Sequence, residues 1–272
     1  MTHPHYFACG GPPGAGPRAA EHRRSARRFP LSRFTRYTGV MDSELRAVLG
    51  ERIADVRARI ADACRRAGRD PAGVALVAVT KTVSPRVAAV AAELGCADLG
   101  EGRPQELWKK AEAVPFARWH LVGHLQRNKI DRTVPLVALV HSVDSERVLD
   151  ALDAFGRGRG APVPVLLEVN CSGEASKGGF APDAVPVACD RAVSLAGVDV
   201  RGLMTMAAFA ADPQGTRPTF AALRGLRDRL RARTGLALAD LSMGMSNDFE
   251  VAVEEGATLV RVGTTLFEGF GG

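Results

Sequence analysis

The sequence predicts an α/β fold built as one (β/α)8 barrel of the TIM type. Eight short apolar runs alternate with longer amphipathic stretches along the chain. The runs are almost continuously hydrophobic, the pattern of parallel strands buried on both faces. Polar residues and glycines follow the C-terminal ends of these runs, where barrels place their chemistry. An open doubly wound sheet is the structural alternative, but no GxGxxG follows the first run to give it a dinucleotide site.

Residues 1–40 precede the first regular element. They are rich in Gly, Pro and Arg and lack strand or helix periodicity, which predicts disorder. The segment holds seven arginines and one acid, so it carries the whole net charge of +6. The barrel region, 41–272, is then neutral, and the case for a nucleic-acid-binding domain loses its main support. The arginine content is similar to an organelle transit segment, whereas a secretory signal would need an apolar stretch that is missing here. The simpler expectation is that translation starts at Met41. The stretch "DSELRAVLGERIADVRARIADACRRAG" follows and reads as a helix over 42–67, with an acidic first turn and a glycine stop.

The strands are expected, in order, at "VALVAVT" (74–80), "ADLGE" (97–101), "WHLVG" (119–123), "LVALVHSV" (136–143), "VPVLLEVN" (163–170), "VRGLMTM" (200–206), "DLSMGM" (240–245) and "TLVRVG" (258–263). Between them "SPRVAAVAAELG", "SERVLDALDAFG", "PDAVPVACDRAVSLAG" and "RPTFAALRGLRDRLRARTG" read as helices, each closing on a glycine suited to a left-handed C-cap. Too few residues follow the eighth strand for a covering helix. The helix at 42–67 is expected to cover that side instead.

Apolar residues make up 46% and charged residues 24%, as in globular proteins, and no run of 18 apolar residues predicts a membrane span. Five scattered cysteines (Cys9, Cys64, Cys96, Cys171, Cys189) form no CxxC pair, which predicts free thiols in a reducing cytoplasm. The histidine spacing offers no metal site. No long apolar helix seam marks an obligate assembly, so a monomer is expected, with a dimer as the alternative.

The rim carries the chemistry. Lys81 ends a buried strand, and partial desolvation there would favour the neutral amine that condenses with aldehydes. Alone, it also reads as a solvated rim residue. The segment "SMGMSNDFEVAVEEG" sets Met245 and Ser246 ahead of a helix start, whose free N–H groups suit a phosphate. Asn247 and Glu250 have capping-box spacing, so an ordinary capped helix is the other reading. Gly263 and Thr264, directly after strand eight, favour the phosphate, because a glycine lets backbone amides approach it closely. Arg261 alternates with Val260 and Val262 and so points to the barrel mouth, with a ligand or an acid such as Glu101 or Glu168 as its acceptor. Barrel closure puts strand eight beside strand one, so a phosphate-bearing aldehyde fits the rim, namely pyridoxal 5′-phosphate (PLP).

The segments "VAVTKTVSP", "LGEGRPQE", "WHLVGHLQRNK", "HSVDS", "RGLMTM" and "LSMGMSNDFEVAVEEGATLVRVGT" occur in this order within about residues 45–268. Together they resemble the pyridoxal phosphate homeostasis protein family, also called the YggS or PROSC family. The resemblance implies a barrel like the N-terminal domain of alanine racemase. It implies that Lys81 holds PLP as a Schiff base, that Ser246, Gly263 and Thr264 hold its phosphate with Met245 in the same loop, and that Arg261 faces the pyridine nitrogen. An arginine there cannot supply a carboxylate's negative charge, which weakens the ring as an electron sink. The implied function is intracellular PLP binding and delivery, with PLP-dependent apoenzymes as partners and no robust turnover.

The alternative is a PLP-dependent amino-acid racemase with an unconventional second base. The usual base is a tyrosine, and both tyrosines, Tyr6 and Tyr37, lie in the segment 1–40. Cys171 and His120 are the candidate substitutes. Two positions depart from the family pattern: Gly102 replaces an asparagine, and His124 stands where proline is common.

Overall fold

Val- and Leu-rich segments form eight parallel strands: β1 (Ala75–Val79), β2 (Asp98–Glu101), β3 (Arg118–Leu121), β4 (Leu139–Val143), β5 (Val163–Glu168), β6 (Val198–Met204), β7 (Asp240–Ser242) and β8 (Leu259–Val262). They close in sequence order, with β8 pairing back onto β1 through Ala75–Leu259 and Val77–Arg261. The protein is therefore the expected TIM-type barrel. The computed structural model describes residues 39–174 and 178–271. The expectation for 1–40 falls, but for its last two positions, outside the described residues, as do Tyr6, Tyr37 and Cys9. Among the described residues no helix is long and apolar enough to cross a membrane.

Alternation along each strand separates two hydrophobic layers. Val77, Leu139, Leu166, Met204 and Leu259 pack together in the lumen, with Ala75, Val122 and Met206 against them. Their strand neighbours, among them Ala78, Leu121, Val165, Leu167, Val260 and Val262, join the larger core under the helices. Period two then puts Arg261 on the lumen face of Leu259, Glu168 on that of Leu166, and His141 on that of Leu139.

The first helix, α1 (Gly39–Arg66), has Asp42 in its first turn and Arg65 and Arg66 in its last, which complements its dipole. It buries Leu49, Ile53, Val56, Ile60 and Ala63, a stripe at helical spacing. It does cover the eighth strand's side: Arg52 donates to the carbonyls of Leu266 (3.1 Å) and Glu268 (2.6 Å) beside the short α9 (Thr264–Phe267). Between these lie α2 (Pro85–Glu93), α3 (Pro104–Ala113), α4 (Ile130–Thr133), α5 (Glu146–Arg159), α6 (Val185–Ala192), α7 (Arg217–Thr234) and α8 (Phe249–Glu254). Two expected stops are corrected: α5 runs through Gly156 and ends at Gly160, where φ is 71°, and α6 ends at Ala192, short of Gly197. Gly156 serves packing instead, since a Cβ there would lie 1.8 Å from the Gly197 carbonyl just before β6.

Candidate functional site

The end of β1 is anchored from below. Thr80 is fully buried, and its carbonyl accepts from Lys110 Nζ at 2.6 Å while its hydroxyl donates to Glu101 Oε1 at 2.8 Å. Lys110, on α3, also donates to Glu101 Oε1 at 2.5 Å, making a buried ion pair. Val83 N–H closes a turn onto the Thr80 carbonyl, and the chain leaves the barrel there. Lys81 emerges from this turn exposed, with no hydrogen bond or ion pair to another described residue. The partial desolvation expected of it is absent, because the anchored turn carries it past the buried layer.

Arg261 is only 4% exposed. Its guanidinium donates from Nη1 to Ser242 Oγ (2.7 Å) and from Nη2 to the Thr205 carbonyl (2.9 Å). The acids expected as its acceptors form no ion pair with it: Glu101 is committed to Lys110, and Glu168 acts on it only through space. Burial pulls the Arg261 pKa down to about 10, with Asp248 and Glu168 pulling it back, so it is a cation at neutral pH. Glu168 is 7% exposed, and its carboxylate makes no hydrogen bond or ion pair with a described residue. Burial, and then the charge of Asp144, push its pKa up. Asp144 in turn meets His124 Nδ1 at 2.8 Å, and His124 is an exposed rim residue.

The phosphate-loop candidates converge. Ser246 Oγ accepts from Gly263 N–H (3.2 Å) and Thr265 N–H (3.3 Å), and Thr265 Oγ1 donates to the Ser246 carbonyl (3.4 Å). A Cβ at Gly263 would lie 3.2 Å from the Val79 carbonyl, so this glycine lets β8 run close to the end of β1. Gly244 has φ +89°, and a Cβ there would lie 2.5 Å from that of Ala252. Thr264 is exposed at the start of α9, and Met245 is exposed at the rim. Backbone N–H groups and a hydroxyl gathered in this way suit a phosphate. Thr265 was not expected; its signal was its place one residue beyond the "GT" pair.

The expected capping box does not form. Asp248 caps the loop, accepting from Met245 N–H at 2.6 Å. Asn247 instead donates to the Ala210 carbonyl (3.0 Å), and Glu250 pairs with Arg59 (2.8 Å). The substitute bases fare no better as rim groups. His120 is buried in the lumen with both nitrogens engaged, to Asp98 and His141 at 2.9 Å each. Cys171 is half-buried, and burial raises its thiol pKa. At Gly102 a Cβ would meet nothing within 4 Å, so a side chain would fit there.

Among (β/α)8 barrels this one is of the alanine racemase N-terminal domain class, and the model of that family matches residues 53–269. The chain is 42% identical over 219 residues to a pyridoxal phosphate homeostasis protein of Aquifex aeolicus, covering 80% of this chain and 96% of that one. It is 41% identical over 223 residues to the protein of the same name from Pseudomonas aeruginosa, covering 81% and 95%. Among solved structures, PipY of Synechococcus elongatus with PLP bound has a TM-score of 0.71 at 32% identity, over 80% of this chain and 99% of PipY. The chain belongs to the pyridoxal phosphate homeostasis protein family.

Proposed function

We propose that this protein binds PLP through a Schiff base on Lys81 and serves intracellular PLP homeostasis, passing the cofactor to PLP-dependent apoenzymes without robust turnover of its own. The observation that carries this reading is the convergence at the β8–β1 seam of three features: a Lys81 without a partner among the described residues, the group of Ser246, Gly263 and Thr265, and the buried Arg261 cation. PLP, when bound, supplies an aldehyde that condenses with the lysine amine and releases water. Ser246, Gly263 and Thr264 hold the phosphate, and Arg261 faces the pyridine nitrogen. Because Arg261 has no carboxylate bonded to it and stays cationic, it leaves that nitrogen without an anionic partner, which disfavours carbanion chemistry. Borohydride treatment of the PLP-mixed protein tests the site: the mass gain of one reduced cofactor is expected on the peptide containing Lys81, and on no other lysine.

One observation favours the racemase as a second reading. The Glu168 carboxylate has no hydrogen-bond or ion-pair partner among the described residues, lies on β5, opposite β1 in the ring order, and has a raised pKa that suits proton transfer. Optical rotation of L-alanine incubated with the PLP-loaded protein separates the readings. A constant signal is expected, and a steady loss that vanishes in Glu168→Gln would establish turnover.

A further inference from the structure

Five side chains on five strands form an unbroken hydrogen-bond chain through the lumen. Arg261 Nη1 donates to Ser242 Oγ (2.7 Å), and Ser242 Oγ lies 2.8 Å from His141 Nδ1. His141 Nε2 lies 2.9 Å from His120 Nδ1, and His120 Nε2 lies 2.9 Å from Asp98 Oδ1. Arg118 closes the far end, donating from Nε and Nη2 to the two Asp98 oxygens at 2.8 and 2.6 Å. All five are buried, His141 and Ser242 completely, and Arg118 opens to solvent at the N-terminal end of β3.

Donor counting fixes where the protons sit. Burial opposes ionisation of Asp98, but hydrogen bonds from His120 and Arg118 outweigh it and hold the carboxyl below its usual range, so Asp98 only accepts. His120 Nε2 therefore carries a hydrogen, and in the neutral ring Nδ1 accepts from His141 Nε2–H. His141 Nδ1 then accepts from the Ser242 hydroxyl, whose oxygen takes the Arg261 N–H. Every donor in the chain has an acceptor. A proton added to either imidazole breaks this order, since Ser242 Oγ must then accept from both Arg261 and His141 while its own hydrogen loses its acceptor. It would also bury a second cation near Arg261, and burial holds His141 well below the usual imidazole range.

We propose that Ser242, His141, His120 and Asp98 are positioning residues for Arg261, forming a one-directional donor chain, with both imidazoles neutral and protonated at Nε2, that locks the guanidinium at the floor of the mouth. The consequence for ligand binding rests on the cofactor reading above: Arg261 is held as a fixed donor toward the ring nitrogen.

Two measurements test this. Two-bond proton–nitrogen correlation spectra of histidine-labelled protein without PLP read each tautomer at neutral pH. Neutral Nε2–H rings are expected for His120 and His141, and an Nδ1–H or doubly protonated His141 overturns the chain. Equilibrium binding then compares PLP with its carbocyclic analogue, which has carbon in place of the ring nitrogen. Ser242→Ala is expected to weaken PLP about tenfold, the scale of one hydrogen bond to a charged group, and to leave the analogue unchanged. Equal losses for both ligands refute positioning toward the nitrogen. Wild-type protein that binds neither ligand refutes the cofactor reading instead, and the tautomer spectra still decide the chain, also where Ser242→Ala fails to fold.

Discussion

The lumen and the mouth of this barrel are both polar, yet their polar groups are satisfied in opposite ways. In the lumen, Arg261, Ser242, His141, His120 and Asp98 pass hydrogen bonds from one to the next. At the mouth, Lys81 and Glu168 have no partner among the described residues. Leaving a buried carboxylate unpaired costs stability, whereas a completed network rigidifies what it holds. The difference separates two duties: the lumen fixes the floor, and the mouth keeps the groups a ligand would engage.

The largest effect is expected where the two regions meet, at the anchor of β1. Lys110→Met leaves Glu101 buried without its cation and should cost about 3–5 kcal/mol in urea unfolding. A loss below 1 kcal/mol, the scale of surface pairs, would mean that the anchor does not hold the strand end. At the mouth, Ser246→Ala removes the acceptor of two backbone N–H groups and should cost only about 1 kcal/mol. The same substitution should weaken PLP binding roughly tenfold by equilibrium dialysis, the scale of a hydrogen bond to a charged phosphate.

The lumen should also report itself through pH. His141 has a folded pKa well below its unfolded value of about 6.5, so the unfolded chain takes up a proton that the folded one refuses. The stability this contributes is complete above pH of about 6.5 and is lost as pH falls below it, at up to about 1.4 kcal/mol per unit. Unfolding free energies measured between neutral and mildly acidic pH should show that slope in the wild type and a flatter one in His141→Gln. The smallest effect is expected at Gly102, where a side chain meets no atom within 4 Å. Gly102→Asn should leave stability within about 0.5 kcal/mol and tighten PLP a few-fold by adding one hydrogen bond.

The barrel was legible because buried parallel strands write themselves as apolar runs, and eight of them closed in sequence order. The nearness of Arg261 and Gly263 to the end of β1 was legible too, since ring closure brings strand eight beside strand one. What the sequence hid were the partners across the lumen. Alternation says that Arg261 and Ser242 face inward, but which residues meet depends on strand tilt and stagger, and the His141–Ser242 contact spans 101 positions. The Lys110–Glu101 pair was hidden in the same way, by the docking of α3 on β2. Asn247 and Glu250 misled because their spacing matched a capping box, while Asp248, one residue later, reached the loop first. Gly156 misled because a glycine that ends a helix and one that admits a close neighbour look alike in sequence.

The central claim is that Lys81 is the group that holds the cofactor. Its most direct test is the intact mass and peptide map of wild-type and Lys81→Ala protein after mixing with PLP and reducing with borohydride. The account predicts one reduced cofactor on Lys81 in the wild type and none in the variant. An equal mass gain in both proteins, or a label that maps to another lysine, would contradict it.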